Sequence, residues 1–191
     1  MRQFAAPGFR MWNLPLHTKV LYTAFCILTL VGIVSSALYY EALVGGGFQG
    51  VRAYYAGDEA SAPAPEHQAA VGPVMDLPEE PHHLVVAMTY RKLLEVTHFH
   101  LFTMPVVLLI VGHLFFATGI GERAKMAWIA AASASVALHI ATPWLVRFGG
   151  GSLAPLHTFS GLFLTISMTV VTAYPVYAMW FKTAPERATT A

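Results

Sequence analysis

Long apolar runs alternate with shorter polar segments along this chain, and the pattern predicts an all-α membrane protein. A helix needs about 20 apolar residues to cross a bilayer. Four runs meet that length, at residues 20–40, 97–120, 126–146 and 155–181. The sequence therefore predicts a four-helix transmembrane bundle.

Polar segments flank and separate these predicted helices. A basic segment, residues 1–19, precedes the first helix, and a short tail, residues 182–191, follows the last. Residues 41–95 form the one sizeable polar segment and hold eight of the ten acidic residues. We predict a short helical or interfacial stretch at 51–56 and an irregular, Pro-rich stretch at 60–81.

Composition and charge support this class of protein. Only 11% of the residues are charged and 56% are hydrophobic, whereas a soluble domain carries roughly 25% charged residues. The net charge of +1 gives no electrostatic reason to expect nucleic acid as a partner. Membrane lipid is the expected environment.

The basic residues predict an orientation. Seven Lys and Arg residues lie on the side of the amino terminus and four on the other side, if the four predicted helices all cross. Cytoplasmic segments carry the excess of Lys and Arg. The sequence thus predicts a bacterial inner-membrane protein with both termini cytoplasmic and residues 41–95 on the outer, periplasmic side.

Five histidines lie in or at the predicted membrane helices: His98, His100, His113, His139 and His157. Ionisable side chains at membrane depth are costly and usually face the bundle interior, so each is a functional candidate. With about 1.5 Å rise per residue, His98, His100 and His157 fall near the outer face. His113 and, less closely, His139 fall deeper.

Helix rotation selects among these histidines. At about 100° per residue, His98 and His113 lie roughly 60° apart around the axis, whereas His98 and His100 lie roughly 200° apart. His98 and His113 are therefore expected to face one interior. We take His98, His113, His139 and His157 as the favoured ligands, with His100 as the substitute at the outer level.

Imidazoles from different helices at two depths suit axial ligation of haem iron within a bundle. In this architecture and histidine placement, the four spans resemble small membrane-bound di-haem b-type cytochromes. The resemblance implies one or two haem b groups and a quinone site. It also implies electron transfer to another membrane or outer-side redox subunit, such as a c-type cytochrome, within an oxidoreductase complex.

Two alternatives stand beside electron transfer. The chain has no nucleophile elbow, P-loop, dinucleotide fingerprint or His-Glu-x-x-His, so it is also compatible with a non-catalytic accessory subunit of a larger membrane complex. Glu95 and His98 have the i, i+3 spacing of carboxylate-bridged metal sites. With His100, His157 and Glu41 they define a candidate non-haem metal site at the outer face.

Overall fold

A computed structural model describes residues 10–45, 47–57 and 86–182 of the chain. Within these residues the secondary structure is helical and contains no strand. The helices are α1 (Leu16–Val44), α2 (Gly47–Ala56), α3 (Tyr90–Phe116), α4 (Glu122–Gly149) and α5 (Ala154–Trp180). Short 3-10 helices precede α1 (Met11–Asn13) and α5 (Gly151–Leu153). Four helices are long and apolar enough to cross a membrane, which confirms the all-α, four-helix class.

The helix ends differ from those expected from the uncharged runs, most clearly in α3. This helix begins at Tyr90, because the Thr89 side chain accepts a hydrogen bond from the Lys92 backbone N–H at 3.3 Å and caps it. It ends at Phe116, shortly before Gly119 adopts a φ of 74°. The polar first turns of α3 therefore belong to the helix, although they precede the uncharged run from which the helix was predicted.

The polar segment predicted between the first two membrane helices is partly helical. The last turn of α1 and the first turns of α3 take up its two ends, and α2 lies within it. The stretch predicted to be irregular, 60–81, lies outside the described residues.

The four long helices run alternately up and down. α4 and α5 form the most extensive pair, and α3 packs against both. At the end of the bundle that carries α2, the Arg147 Nε–H donates to the Met88 carbonyl at 2.9 Å, and the Trp144 Nε1–H donates to Thr97 Oγ1 at 2.8 Å. These bonds fasten α4 to the start of α3. We refer to this end as the α2 end.

Helix α1 is attached differently from the other three. Among the described residues, its substantial packing is against α5 alone, with minor contacts to α2. Only 6% of its most apolar stretch is buried, against 39% for the segment that contains α5. A gap therefore remains between α1 and α3, and this gap holds the site described below.

The opposite end of the bundle closes around the short 3-10 helix. The Met11 N–H donates to the Ala117 carbonyl at 3.1 Å, and Met11 packs with Leu14, Ala178 and Met179 in a buried cluster. The residues before α1 are thus joined to the ends of α3 and α5.

Gly119 offers a test of this closure. Its φ of 74° is strained for any residue with a Cβ, and an added Cβ would lie 2.8 Å from the Trp12 ring. We expect Gly119→Ala to lower the free energy of unfolding by about 1–2 kcal/mol from backbone strain alone, measured as a lower thermal midpoint in detergent.

The matched control is Gly121→Ala, two residues along the same connection. A Cβ there meets nothing within 4 Å, and the φ of −61° suits any residue. An equal loss of stability in the two variants would contradict this account of Gly119.

Candidate cofactor site

Four polar side chains at the interface of α4 and α5 form a hydrogen-bonded cluster that positions two histidines side by side. We call this cluster the polar seam, and its members are His139, Thr142, His157 and Ser160. The rings of His139 on α4 and His157 on α5 stack with centroids 5.0 Å apart and planes inclined by 19°. Two hydroxyls connect them: Ser160 Oγ lies 3.3 Å from His139 Nδ1, and Thr142 Oγ1 lies 2.8 Å from His157 Nδ1. The two hydroxyl oxygens are 3.1 Å apart.

Hydrogen counting fixes the tautomers in this seam. Ser160 donates its single hydrogen to the His157 carbonyl at 2.7 Å, and Thr142 donates its single hydrogen to the His139 carbonyl at 3.3 Å. A carbonyl only accepts, so both hydroxyl hydrogens are used in these two bonds. Thr142 therefore accepts from the Nδ1–H of His157, and Ser160 accepts from the Nδ1–H of His139. Both histidines consequently present an Nε2 lone pair.

Of the two Nε2 atoms, that of His157 is more deeply buried than that of His139. Its side chain is 2% exposed, and its Nε2 is buried without a hydrogen-bond partner. Rings surround it: His139 stacks on it, Tyr55 meets it edge-on at 5.0 Å, and Tyr40 lies at 5.8 Å. Burial also raises the pKa of the Tyr55 phenol on α2, so this neighbour remains neutral. A buried acceptor without a donor is the kind of atom that a metal centre satisfies.

A hydrogen bond also fixes the tautomer of His100 on α3. Its Nδ1 lies 2.8 Å from the Val96 carbonyl. A carbonyl only accepts, so Nδ1 carries the hydrogen and Nε2 is a lone pair. A histidine that ligates a metal through one ring nitrogen usually donates from the other to a carbonyl or similar acceptor, which fixes the ring.

A cavity of about 560 Å³ brings these three histidines together, and we call it the first cavity. It lies in the gap between α1 and α3 at the α2 end. His100, His139 and His157 line it together with apolar side chains such as Leu43 and Leu93 and with four tyrosines, at positions 39, 40, 54 and 55. Lys92 also lines it, and its Nζ lies 3.3 Å from the Glu95 carboxylate. The volume falls within the roughly 300–1,000 Å³ of small-molecule and cofactor sites.

The other two candidate histidines lie elsewhere. His98 and His113 are both exposed, on the side of α3 that faces away from the bundle. His98 contacts the rings of Phe99 and Phe102 of its own helix, and the His113 Nδ1–H donates to the Leu109 carbonyl at 2.8 Å. The structure therefore places both histidines on the outside of α3, next to the face that meets α4 and α5, and their role as ligands stays a prediction.

The positions of these side chains also bear on two further predictions, the arrangement of histidines at two depths and the non-haem metal site. His113 and His139 do not meet, because one is on the exterior of α3 and the other faces the first cavity. Across residues 10–45, 47–57 and 86–182, no three His, Cys, Asp or Glu side chains are grouped so that they could hold one metal ion. Glu95, from the candidate non-haem set, is exposed and pairs with Lys92.

Sequence reasoning overlooked the hydroxyls that orient the imidazoles. The signal was present, because Thr142 follows His139 by three residues and Ser160 follows His157 by three. Residues three apart share a helix face. A His-x-x-Thr on one helix and a His-x-x-Ser on the next therefore place two hydroxyls beside two imidazoles wherever those helices pack.

Comparison with known proteins gives a family. A model of the transmembrane helical domain family Aq_1264_TM matches residues 45–186. This match covers most of the chain, and the chain therefore belongs to that family. No curated protein and no solved structure matches it.

The hydrogen bond between Thr142 and His157 predicts that Thr142 contributes to the stability of the fold. Thr142→Val removes the oxygen that accepts from His157 and leaves a buried N–H without a partner. A buried donor left unpaired costs about 1–3 kcal/mol, so the thermal midpoint should fall clearly in detergent.

Thr103→Val is the matched control, because Thr103 is exposed and its hydroxyl bonds only to the Phe99 carbonyl of its own helix, at 2.8 Å. That change should cost less than about 0.5 kcal/mol. Equal midpoints for the Thr142 variant and the wild type would refute the hydrogen-bond assignment.

Proposed function

We propose that this member of the transmembrane helical domain family is a membrane electron-transfer subunit that binds one b-type haem in the first cavity. The observation that carries the proposal is the buried, unpartnered Nε2 of His157 beside a cavity that His100 also lines. Both rings are held by Nδ1–H hydrogen bonds, so each offers a lone pair from a fixed imidazole.

The stacked histidines limit which residues would hold a haem. The rings of His139 and His157 lie face to face at 5.0 Å, so these two would not hold the iron between them. His100 on α3 lines the same cavity. It would hold the haem together with His157, whose Nε2 has no hydrogen-bond partner among the described residues.

The rest of the cavity suits the size and polarity of a haem. Its apolar walls exclude water from the macrocycle, which is one of the ways a protein tunes a haem. At the α2 end, Lys92 offers a cation to the carboxylates that haem carries. The bound haem would supply a reversible one-electron iron couple. The residues of the chain would hold the imidazole tautomers, shield the site from water and, through Lys92, offer a cation to the carboxylates.

The position of His113 supports the proposal of one haem rather than two. The second site expected from the sequence needs His113 and His139 on one interior, and His113 is on the exterior of the chain. We further propose that the chain lies in a bacterial inner membrane with cytoplasmic termini, as the distribution of Lys and Arg favours. It would then carry electrons between a quinone pool and an outer-side redox subunit, such as a c-type cytochrome.

Spectroscopy of histidine variants tests this proposal. The detergent-purified protein should give sharp α and Soret bands in a dithionite-reduced minus oxidised spectrum, and a pyridine haemochrome assay should give about one haem per chain. His157→Ala and His100→Ala each remove an axial ligand and should abolish or shift these bands.

His98→Ala and His113→Ala are the matched controls, because both side chains lie on the exterior of the same helix as His100. They should retain wild-type spectra and haem content. Loss of haem in His139→Ala with retention in His157→Ala would overturn the choice between the two stacked rings.

A folded wild-type protein with no haem bands, isolated from cells supplied with haem, would refute the function itself. That outcome would favour the accessory-subunit alternative, in which the exposed faces of α1 and α3 contact other subunits of a larger complex.

A further inference from the structure

A second cavity, of about 610 Å³, lies along α1 beside the first. The two share the side chains of Ser36, Tyr40, His139 and His157. The remaining walls of the second cavity come from the middle of the bundle and are largely apolar. They include Ile33 on α1, Val107 on α3, and Leu164 and Met168 on α5.

Unpaired polar atoms concentrate on this cavity. In the part of the chain that the structure describes, four buried side-chain polar atoms have no hydrogen-bond partner: Tyr40 Oη, His157 Nε2, Thr158 Oγ1 and Thr172 Oγ1. The first three belong to residues that line the second cavity. Buried polar atoms in native proteins are nearly always paired, so three such atoms at one cavity indicate a missing partner.

The haem proposed above would satisfy His157 and leave the two hydroxyls unexplained. The Tyr40 and Thr158 hydroxyls are neighbours and can form a hydrogen bond with each other. Even when one of these hydroxyls donates to the other, one O–H remains free to donate. The inference that follows rests on these hydroxyls and the apolar walls, and it stands whether or not a haem is bound.

The cavity lies among the candidate membrane-spanning helices, where an opening between helices would face lipid. It lies where α1 packs on α5 and leaves a gap towards α3, in the membrane-spanning part of the bundle. Gly32 on α1 lines it, and a Cβ built at Gly32 meets no atom within 4 Å. A molecule dissolved in the lipid can therefore enter sideways through this gap.

We propose that the second cavity binds a membrane-soluble molecule with a carbonyl oxygen and an apolar body. The carbonyl accepts a hydrogen bond from the Tyr40 or Thr158 hydroxyl, and the body packs on the apolar walls. Concave apolar sites with a few convergent polar groups are the usual form of such binding sites. A quinone and a fatty acyl lipid share this chemistry, and the experiment below separates them.

The test measures saturable binding of two probes, decylubiquinone and oleic acid, to the full-length protein in nanodiscs of saturated phosphatidylcholine. One probe should bind at about one equivalent per chain, consistent with a single cavity of this size. Binding of decylubiquinone alone assigns the site to quinones, and binding of oleic acid alone assigns it to acyl lipids. Binding of neither, above the partition into empty nanodiscs, overturns the proposal.

Gly32→Leu is the blocking variant, because Gly32 lines the cavity and a Cβ built there meets only open space. It should weaken binding about tenfold or more, since the ligand and the added side chain cannot share the volume. Val31→Leu, on the adjacent exposed position of α1, is the matched control and should bind as the wild type does. Wild-type affinity in a folded Gly32→Leu protein overturns the site.

A second variant keeps the test decisive if Gly32→Leu fails to fold. Tyr40→Phe with Thr158→Val removes both hydroxyls at little change in shape and should weaken binding about fivefold or more. Unchanged affinity overturns the role of the hydroxyls. Haem content measured on the same samples separates the two proposals, because a ligand lost with haem retained affects the second cavity alone.

Discussion

A polar side chain inside a membrane bundle has no water to bond with, and this constraint determines how α4 meets α5. Polar groups on the facing sides are stabilised when they find partners on the other helix or in their own backbone. Ser135 and Ser167 do so at 2.8 Å, and Thr142 and Ser160 do so around the stacked imidazoles. These bonds fix the register of the two helices. α3 and α1 then pack on the pair and complete the cavities.

The same hydrogen bonds between α4 and α5 also bear on the ligation proposed above. An imidazole in an apolar bundle can rotate or change tautomer unless one ring nitrogen, here Nδ1, makes a hydrogen bond. Hydroxyls hold His139 and His157 across the helix interface, and a backbone carbonyl holds His100 within its own helix. The chain thus specifies the state of each ring before any ligand arrives, which is the purpose of supporting hydrogen bonds around metal ligands.

The sequence was sufficient for the fold class but not for the face of each helix. Long uncharged runs report directly on the cost of polar groups in lipid, so the four spans were predictable. The rotation of α3 was not, because the spacing of His98 and His113 shows that they share a face without showing which face is covered. That depends on neighbours such as Ile129 of α4, which contacts α3 closely at Gly112. The spacing also placed His100 roughly opposite His98, and His100 is the one that lines the cavity.

The stacked imidazoles form a common wall of two cavities, and this has an energetic consequence. Both rings line both cavities, so a ligand in one cavity would change the packing and polarity that a ligand in the other encounters. Binding at the two proposed sites would therefore be linked, and linkage of this kind is reciprocal. Partial packing of α1 is what creates this arrangement, since a fully packed α1 would fill the gap that both cavities occupy.

The attachment of α1 to α5 also sets the order of assembly during synthesis. Helix α1 leaves the ribosome before α5, which is its main contact, and Met11 is made before Met179, its neighbour in the same buried cluster. At about 5–20 residues per second, the intervening chain takes on the order of ten seconds to make. For that interval α1 rests in the bilayer with lipid in place of its helical neighbour. Its surface is apolar on nearly all sides, and residues 20–40 contain no Asp, Glu, Lys or Arg. Helix α1 is therefore compatible with lipid contact on every side.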